Sequence, residues 1–199
     1  MLRFLAPVLS LSLLAQAPYQ KAPKAIQEVL DAPGTPNLVL SPKGDQFLLA
    51  EFDRHPSIKD LAQPMARLAG LRFNPRTRGP HNPPRLKRLA LQPVEGGAAK
   101  SVPLPTGVAL GQPRWAPDGS KFVVVGATAD LTELWVGDPA RGTLRRIPNL
   151  KLNAILGSPI DWLPDGSLLC ATVPANAGPE PKAPEVPVGP RIQDNEGKA

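Results

Sequence analysis

Residues 115–120 read WAPDGS and lead into the apolar run FVVV at residues 122–125. Residues 162–167 repeat the pattern as WLPDGS, followed by LLCA at 168–171, and a looser copy, LSPKGD, precedes FLLA at 47–50. Proline pre-sets φ at the first central position of a turn, and the glycine then supplies the positive φ that folds the chain back as a hairpin. Each copy therefore predicts a strand, a tight turn and a second, buried strand. The predicted turn residues are Pro42, Gly44, Pro117, Asp118, Gly119, Pro164, Asp165 and Gly166.

The spacing of these turns favours a β-propeller. Asp118 and Asp165 are 47 positions apart, which is the length of one propeller blade, and Lys43 precedes Asp118 by 75 positions, which is one blade with an insertion. A further hairpin at 134–147 lies between the two strong copies and brings the repeat to the four strands of a blade. We therefore expect an all-β fold, a partial β-propeller of about two and a half four-stranded antiparallel blades, with one short N-terminal helix.

Composition and local patterns predict how the chain is divided. The 27 prolines and 17 glycines among 199 residues argue against long helices. Arg3, the apolar run at 4–14 and the small residues that end at Ala17 are typical of a signal peptide, so we expect an exported protein, periplasmic or secreted; a buried N-terminal helix is the alternative. The run is too short to span a bilayer, and no later segment could do so. The predicted parts are a signal peptide at 1–17, an extension with a short helix at 18–36, an incomplete propeller at 37–173 with an insert at 53–84, and a proline-rich flexible segment at 174–199.

The clearest charge feature is a run of cations in and after the insert. Residues 67–88 contain seven cations and no acidic residue. The cations are Arg67, Arg72, Arg76, Arg78, Arg85, Lys87 and Arg88. They form either a solvated loop or a positive rim that attracts acidic peptide. Nucleic acid is the weaker alternative, because no aromatic residue beyond Phe73 interleaves with the arginines and an exported protein rarely meets it.

The sequence offers no pattern for catalysis, a cofactor or a metal. No Gly-x-Ser-x-Gly elbow occurs, and His55 and His81 stand beside prolines without a nucleophile held next to them. One cysteine, Cys170, and two separated histidines provide no cluster of metal ligands. We expect Cys170 in a buried strand and the three tryptophans in the core. We therefore predict no catalytic, no cofactor-binding and no metal-binding residue.

Several other segments carry a resemblance to a known family. Besides the predicted signal peptide, these segments are YQKAP at 19–23 with the short helix that follows it, LAQP at 61–64, LAGLRFNP at 68–75 and WLPDG at 162–166. In these segments the chain resembles the N-terminal part of prolyl-oligopeptidase-like serine peptidases, specifically the glutamyl endopeptidase branch. The resemblance covers nearly the whole chain. LAGLR is its more specific piece, since Pro-Asp-Gly turns are shared with many propellers, including TolB-like periplasmic proteins.

The resemblance implies a propeller that caps a C-terminal α/β-hydrolase domain with a Ser-Asp-His triad, restricts access to the catalytic cavity and orients peptide substrates. This chain matches only the early propeller, so no catalytic residue is transferred to it, and we expect it to be inactive alone. A preference for acidic side chains would give the arginine cluster a purpose. The alternative is a self-standing, exported, propeller-like scaffold that binds a protein partner, as in TolB-like proteins. The half blade and proline-rich end favour the peptidase segment, because a native propeller closes its ring to hide its edges.

Overall fold

The computed structural model describes residues 20–32 and 34–178, which fall into two compact units divided after Pro33. In chain order the described elements are α1 (Lys24–Asp31), β1 (Asn37–Leu40), β2 (Gln46–Phe52), α2 (Ile58–Leu61), β3 (Ala66–Leu68), β4 (Leu71–Asn74), β5 (Gly79–Pro80), β6 (Leu86–Pro93), β7 (Lys100–Val102), β8 (Ala109–Leu110), β9 (Arg114–Trp115), β10 (Phe122–Ala127), β11 (Thr132–Asp138), β12 (Thr143–Arg146), β13 (Ile160–Trp162) and β14 (Leu168–Cys170). The predicted signal peptide at 1–17 and residues 179–199 of the predicted proline-rich segment lie outside the described residues.

The first unit contains the predicted short helix. Helix α1 begins immediately after Pro23, whose carbonyl oxygen accepts hydrogen bonds from the backbone N–H groups of Ile26 at 2.9 Å and Gln27 at 3.1 Å. Proline is suited to this position because the first backbone N–H groups of a helix have no partner within it.

The second unit begins with a complete blade. Blade one pairs its strands in the order β1-β2-β6-β7, all antiparallel. Leu48 and Ala50 of β2 stand opposite Leu91 and Leu89 of β6, so the two central strands place buried residues side by side. The ladder shifts register between Glu51 and Phe52, next to the point where the chain leaves for the insert.

Blade two has a divided inner strand. Its order is β12-β11-β10, and both β8 and β9 pair with β10 on the remaining edge. The inner strand is interrupted between β8 and β9, where Pro113 lacks the N–H that a ladder requires. The N–H of Gly111 still donates to the carbonyl of Val125 at 2.9 Å. The blade thus starts at Ala109.

Blade three has two described strands, β13 and β14, paired antiparallel. Leu152 joins it to blade two by isolated bridges to Thr132 on one side and Thr172 on the other. The prediction that the runs after the three turns are buried holds for β10, holds in part for β2, where Phe47 and Leu49 are only half-buried, and is wrong for β14. Leu169 is 60% exposed and Cys170 only partly buried. Leu168 and Cys170 pack against the core shared with blade two, whereas Leu169 points to the opposite face and is absent from both cores of the described residues.

The continuous apolar run of β10 has a simple structural cause. Phe122 and Val124 belong to a core shared with blade one, whereas Val123 belongs to a second core with Leu152 and Ile160 towards blade three. Successive side chains of a strand point to opposite faces, so a strand between two blades is apolar on both. This stacking of antiparallel blades confirms the predicted all-β, partial-propeller fold.

The three repeated turns share one geometry. The N–H of each glycine donates to the carbonyl three residues earlier, at 2.9 Å for Gly44 and Gly119 and 3.0 Å for Gly166. The three glycines have φ of 71°, 68° and 79°. A four-residue turn that ends in a left-handed residue is a common hairpin connection, and glycine adopts that conformation at least cost.

The one-turn helix α2 was not predicted. Ser57 and Asp60 form a capping box: the Ser57 hydroxyl accepts from the Asp60 N–H at 3.2 Å, and the Asp60 carboxylate accepts from the Ser57 N–H at 3.2 Å. The Ser-x-x-Asp pattern at 57–60 is visible in the sequence and could have indicated this helix start.

Candidate peptide-binding cleft

The insert carries two of the predicted cations on one tight turn. Its strands pair in the order β3-β4-β5, and residues 75–78 connect β4 to β5. The buried Asn74 closes this connection, since its side-chain oxygen accepts from the N–H of Arg76 at 3.0 Å and its carbonyl accepts from the N–H of Arg78 at 2.9 Å. Asparagine side chains commonly hold turns in this way. We call residues 74–79 the insert turn.

The insert turn is fixed to the neighbouring blades. The Thr132 hydroxyl of β11 donates to the Thr77 carbonyl at 2.9 Å, and the N–H of Ala154 donates to the Arg78 carbonyl at 2.7 Å. A Cβ atom on Gly79 would lie 2.7 Å from the Thr132 hydroxyl oxygen, so glycine is required for this approach. The backbone that carries Arg76 and Arg78 is therefore held in a fixed position against blade two.

Next to the insert turn lies an open cleft of about 690 Å³, which we call the basic cleft. Three cationic side chains line it, Arg76, Arg78 and Lys151, against one carboxylate, Asp130. A cleft lined mainly by one sign of charge raises the local concentration of the opposite charge. Arginine also binds carboxylates through two parallel hydrogen bonds. The cleft is therefore chemically suited to the acidic side chain of a peptide.

Lys151 was missed by the sequence analysis. It lies 63 positions after the last cation of the predicted cluster. The bridge from the adjacent Leu152 to Thr132 and the hydrogen bond from the N–H of Ala154 to the Arg78 carbonyl bring this segment to the insert turn. No local pattern around Lys151 predicts this position.

The other predicted cations lie elsewhere. Arg67 and Arg72 are exposed and stand directly opposite each other on β3 and β4. Residues opposite in an antiparallel pair share a face of the sheet, so the two form a separate positive patch. Arg88 pairs with Glu51 at 2.9 Å, Arg85 pairs with Asp60, and Lys87 is exposed. Of the seven cations, only Arg76 and Arg78 line the basic cleft.

A second cleft, of about 600 Å³, contains a mixture of charges. Asp53, His55, Asp60 and Arg85 are among its lining residues. The pKa of Asp60 lies below its ordinary value, chiefly because the Ser57 hydroxyl donates to its carboxylate at 2.6 Å and to a lesser degree because of Arg85. With its hydroxyl engaged in this cap, Ser57 is not placed as a nucleophile.

Asp118 and Asp165 serve the turns in the same way. Each carboxylate accepts hydrogen bonds from the N–H and hydroxyl of the serine two residues later, at 3.0 and 2.8 Å for Asp118 and at 2.9 and 2.6 Å for Asp165. These hydrogen bonds lower the pKa of both carboxyls. The turns of blades one and two lie together, because a Cβ on Gly119 would be 3.4 Å from Lys43 Cγ, whereas Gly166 has open space around it.

The described part of the chain contains neither a cluster of metal ligands nor a membrane-spanning helix. Within residues 20–32 and 34–178, no group of three or more histidine, cysteine, aspartate or glutamate side chains could hold a metal ion. None of the helices in those ranges has the length and apolar character needed to cross a membrane.

No family model matches the chain. Among curated proteins, one named "Probable glutamyl endopeptidase, chloroplastic" from Oryza sativa subsp. japonica is 34% identical over 198 aligned positions, which include 89% of this chain. A protein of the same name from Arabidopsis thaliana is 31% identical over 199 positions, which include 90% of this chain. The chain spans only 20% of the length of either relative. The predicted resemblance is confirmed, and this chain is related to the glutamyl endopeptidases as the counterpart of about one fifth of such a protein.

Proposed function

We propose that this chain is the non-catalytic propeller segment of an exported serine peptidase. In this role it gates and orients peptide substrates for an α/β-hydrolase domain that lies outside these 199 residues. The observation that carries the proposal is the similarity to two proteins named glutamyl endopeptidase over about nine tenths of this chain. The stacked antiparallel blades agree with it, and export rests on the leader pattern at 1–17.

The basic cleft supplies a physical means of orienting a peptide. Arg76 and Arg78 extend from a turn that is hydrogen-bonded to blade two, and Lys151 faces the same space. A glutamate or aspartate side chain entering the cleft meets more positive than negative charge. Since opposite charges attract over roughly 10 Å at 0.1 M salt, acidic peptides would be concentrated at this surface before they reach a catalytic centre.

Peptide binding to the full chain tests the role of the cleft. A fluorescent peptide with several glutamates is compared with the same peptide carrying glutamines, at low and at physiological salt. We expect tighter binding of the glutamate peptide and weaker binding as salt rises. The double variant Arg76→Gln/Arg78→Gln should weaken binding about tenfold at low salt, since two charge-assisted contacts are lost.

The matched control is Arg67→Gln/Arg72→Gln, which removes the same charge from the patch on β3 and β4. It should weaken binding by less than about threefold, because only the long-range attraction changes. Equal losses of affinity in both double variants would show that the peptide responds only to the overall positive charge of the surface and not to the cleft. Absence of any preference for glutamate would contradict the orienting role, and covalent labelling of the chain by a fluorophosphonate would contradict its non-catalytic character.

A further inference from the structure

The segment that follows blade three lines the basic cleft and is held at both of its ends. Residues 174–178, which we call the strap, are exposed, and several of them line the cleft. At the near end the N–H of Val173 donates to the Lys151 carbonyl at 2.9 Å. At the far end the carbonyl of Gly178 accepts a hydrogen bond of 3.2 Å from the Arg78 guanidinium. The backbone carbonyl of Lys151 and the side chain of Arg78 thus hold the strap at its two ends.

The contact at the far end is the longer of the two, at 3.2 Å against 2.9 Å, and it is exposed to solvent. Between the anchors, the strap has one internal backbone hydrogen bond, from the N–H of Ala177 to the carbonyl of Pro174 at 3.0 Å. The Arg78 contact joins a charged donor to a neutral carbonyl in an exposed position. A carboxylate binds a guanidinium more strongly than a carbonyl does, because both partners are ionised and two hydrogen bonds can form. An acidic side chain that reaches Arg78 should therefore displace Gly178.

We propose that the strap is a displaceable cover of the basic cleft. Its Gly178 carbonyl occupies Arg78 until an acidic peptide side chain takes that place. The class of ligand rests on the proposed function, whereas the anchoring of the strap by Arg78 does not. The strap sequence, PANAG, carries no charge, so it covers the cleft without altering the attraction for acidic peptide.

Cleavage of the strap by elastase tests the anchor and its release in the full chain. Elastase cuts after small residues, and the strap offers Ala175 and Ala177. Mass spectrometry follows the rate of cutting within residues 174–178. Arg78→Gln should raise this rate at least about threefold, since it removes the far anchor, while Arg72→Gln should leave it unchanged. Saturating glutamate peptide should raise the rate in the unaltered chain, and the glutamine peptide should not.

A second variant tests the effect on binding. Replacing residues 174–178 by a twelve-residue Gly-Ser linker loosens the strap without changing the net charge. It should tighten binding of the glutamate peptide by about threefold to tenfold, which is the effect of one competing hydrogen bond.

The outcomes separate this proposal from the proposed function. An unchanged cutting rate in Arg78→Gln overturns the anchor, whether or not acidic peptide binds. Tight glutamate-peptide binding with unchanged cutting and unchanged affinity in the linker variant overturns displacement but leaves the orienting role intact. Absence of glutamate-peptide binding overturns both displacement and the orienting role, and faster cutting in Arg78→Gln would then show an anchor with no acidic competitor.

Discussion

The indole Nε1 of Trp115 donates a hydrogen bond of 2.9 Å to the carbonyl of Val39, which lies 76 residues earlier in blade one. Trp115 is 8% exposed, and its ring also packs edge-on against Phe122 with centroids 5.7 Å apart. Trp162 is the corresponding residue of the next repeat, but its Nε1 is buried and has no hydrogen-bond partner. Two tryptophans in the same sequence pattern therefore differ in one contact between blades.

This difference predicts unequal effects of two identical substitutions. Trp115→Phe removes a donor and leaves the Val39 carbonyl without it, so it should lower the free energy of unfolding by about 1–3 kcal/mol. Trp162→Phe removes the same atoms, but the donor that it removes has no hydrogen-bond partner in the folded chain. The loss in the free energy of unfolding should therefore be smaller than for Trp115→Phe. Urea unfolding of both variants measures this. Equal losses would show that the Val39 hydrogen bond contributes nothing measurable.

The stability of the chain should depend strongly on which residue stands at position 166, where the third turn has a left-handed glycine. Gly166 has φ of 79°, and a Cβ atom added to it would meet nothing within 4 Å beyond its neighbours in the chain, so backbone conformation alone decides what fits there. Gly166→Val should destabilise the chain by more than about 1 kcal/mol, because β-branched residues resist positive φ. Gly166→Asn, which adopts this conformation more readily, is the control and should lose less. Equal thermal stability of both variants would contradict the described turn.

The aspartates of the turns predict a loss of stability in acid. Hydrogen bonds from Ser120 and Ser167 lower the pKa of Asp118 and Asp165 in the folded chain. The stabilisation is therefore present above the ordinary aspartate pKa, about 3.9, and is lost as the pH falls through the lower folded values. The urea concentration at the midpoint of unfolding should therefore decrease as the pH is lowered from about 5 to about 2.

In the double variant Asp118→Asn/Asp165→Asn, the urea midpoint should depend less on pH in this acid range, which we call the acid limb, because the two turns no longer titrate. Asp130→Asn serves as the control, because Asp130 is an exposed aspartate that lies outside the three repeated turns. An acid limb of unchanged slope in the double variant would mean that other carboxylates determine it.

The edge of blade three predicts self-association. Strand β14 has one partner strand within the described residues, and Leu169 is 60% exposed on it. An apolar, uncharged strand with an open edge tends to pair with other chains. We expect β-rich circular dichroism together with dye binding or higher oligomers in sedimentation. Leu169→Lys should reduce both.

Leu156→Lys is the control for that experiment, because Leu156 is 84% exposed but lies in a turn outside the strands. It adds the same charge and removes the same apolar side chain, and it should leave association unchanged. A monomeric, dye-negative chain that melts cooperatively would show that the open edge is not an association site.

The sequence predicted those features that depend on neighbouring residues. The Pro-Asp-Gly pattern contains its own turn chemistry, and the run on β10 is apolar throughout because its side chains serve two cores. The two-residue strand β8 was missed, since Ala109 and Leu110 are too few to show a period. The position of Lys151 in the basic cleft could not be predicted, because it depends on contacts between residues far apart in the chain.

Leu152, fully buried and bridged to Thr132 and Thr172, also bears on the order in which the chain folds. Each of its two partners is 20 positions away, whereas the tryptophan contact with Val39 spans 76. Closing a short loop costs less entropy and takes less time than closing a long one. During synthesis, the junction of the second and third blades can therefore form as soon as Thr172 has left the ribosome, without waiting for any residue that follows.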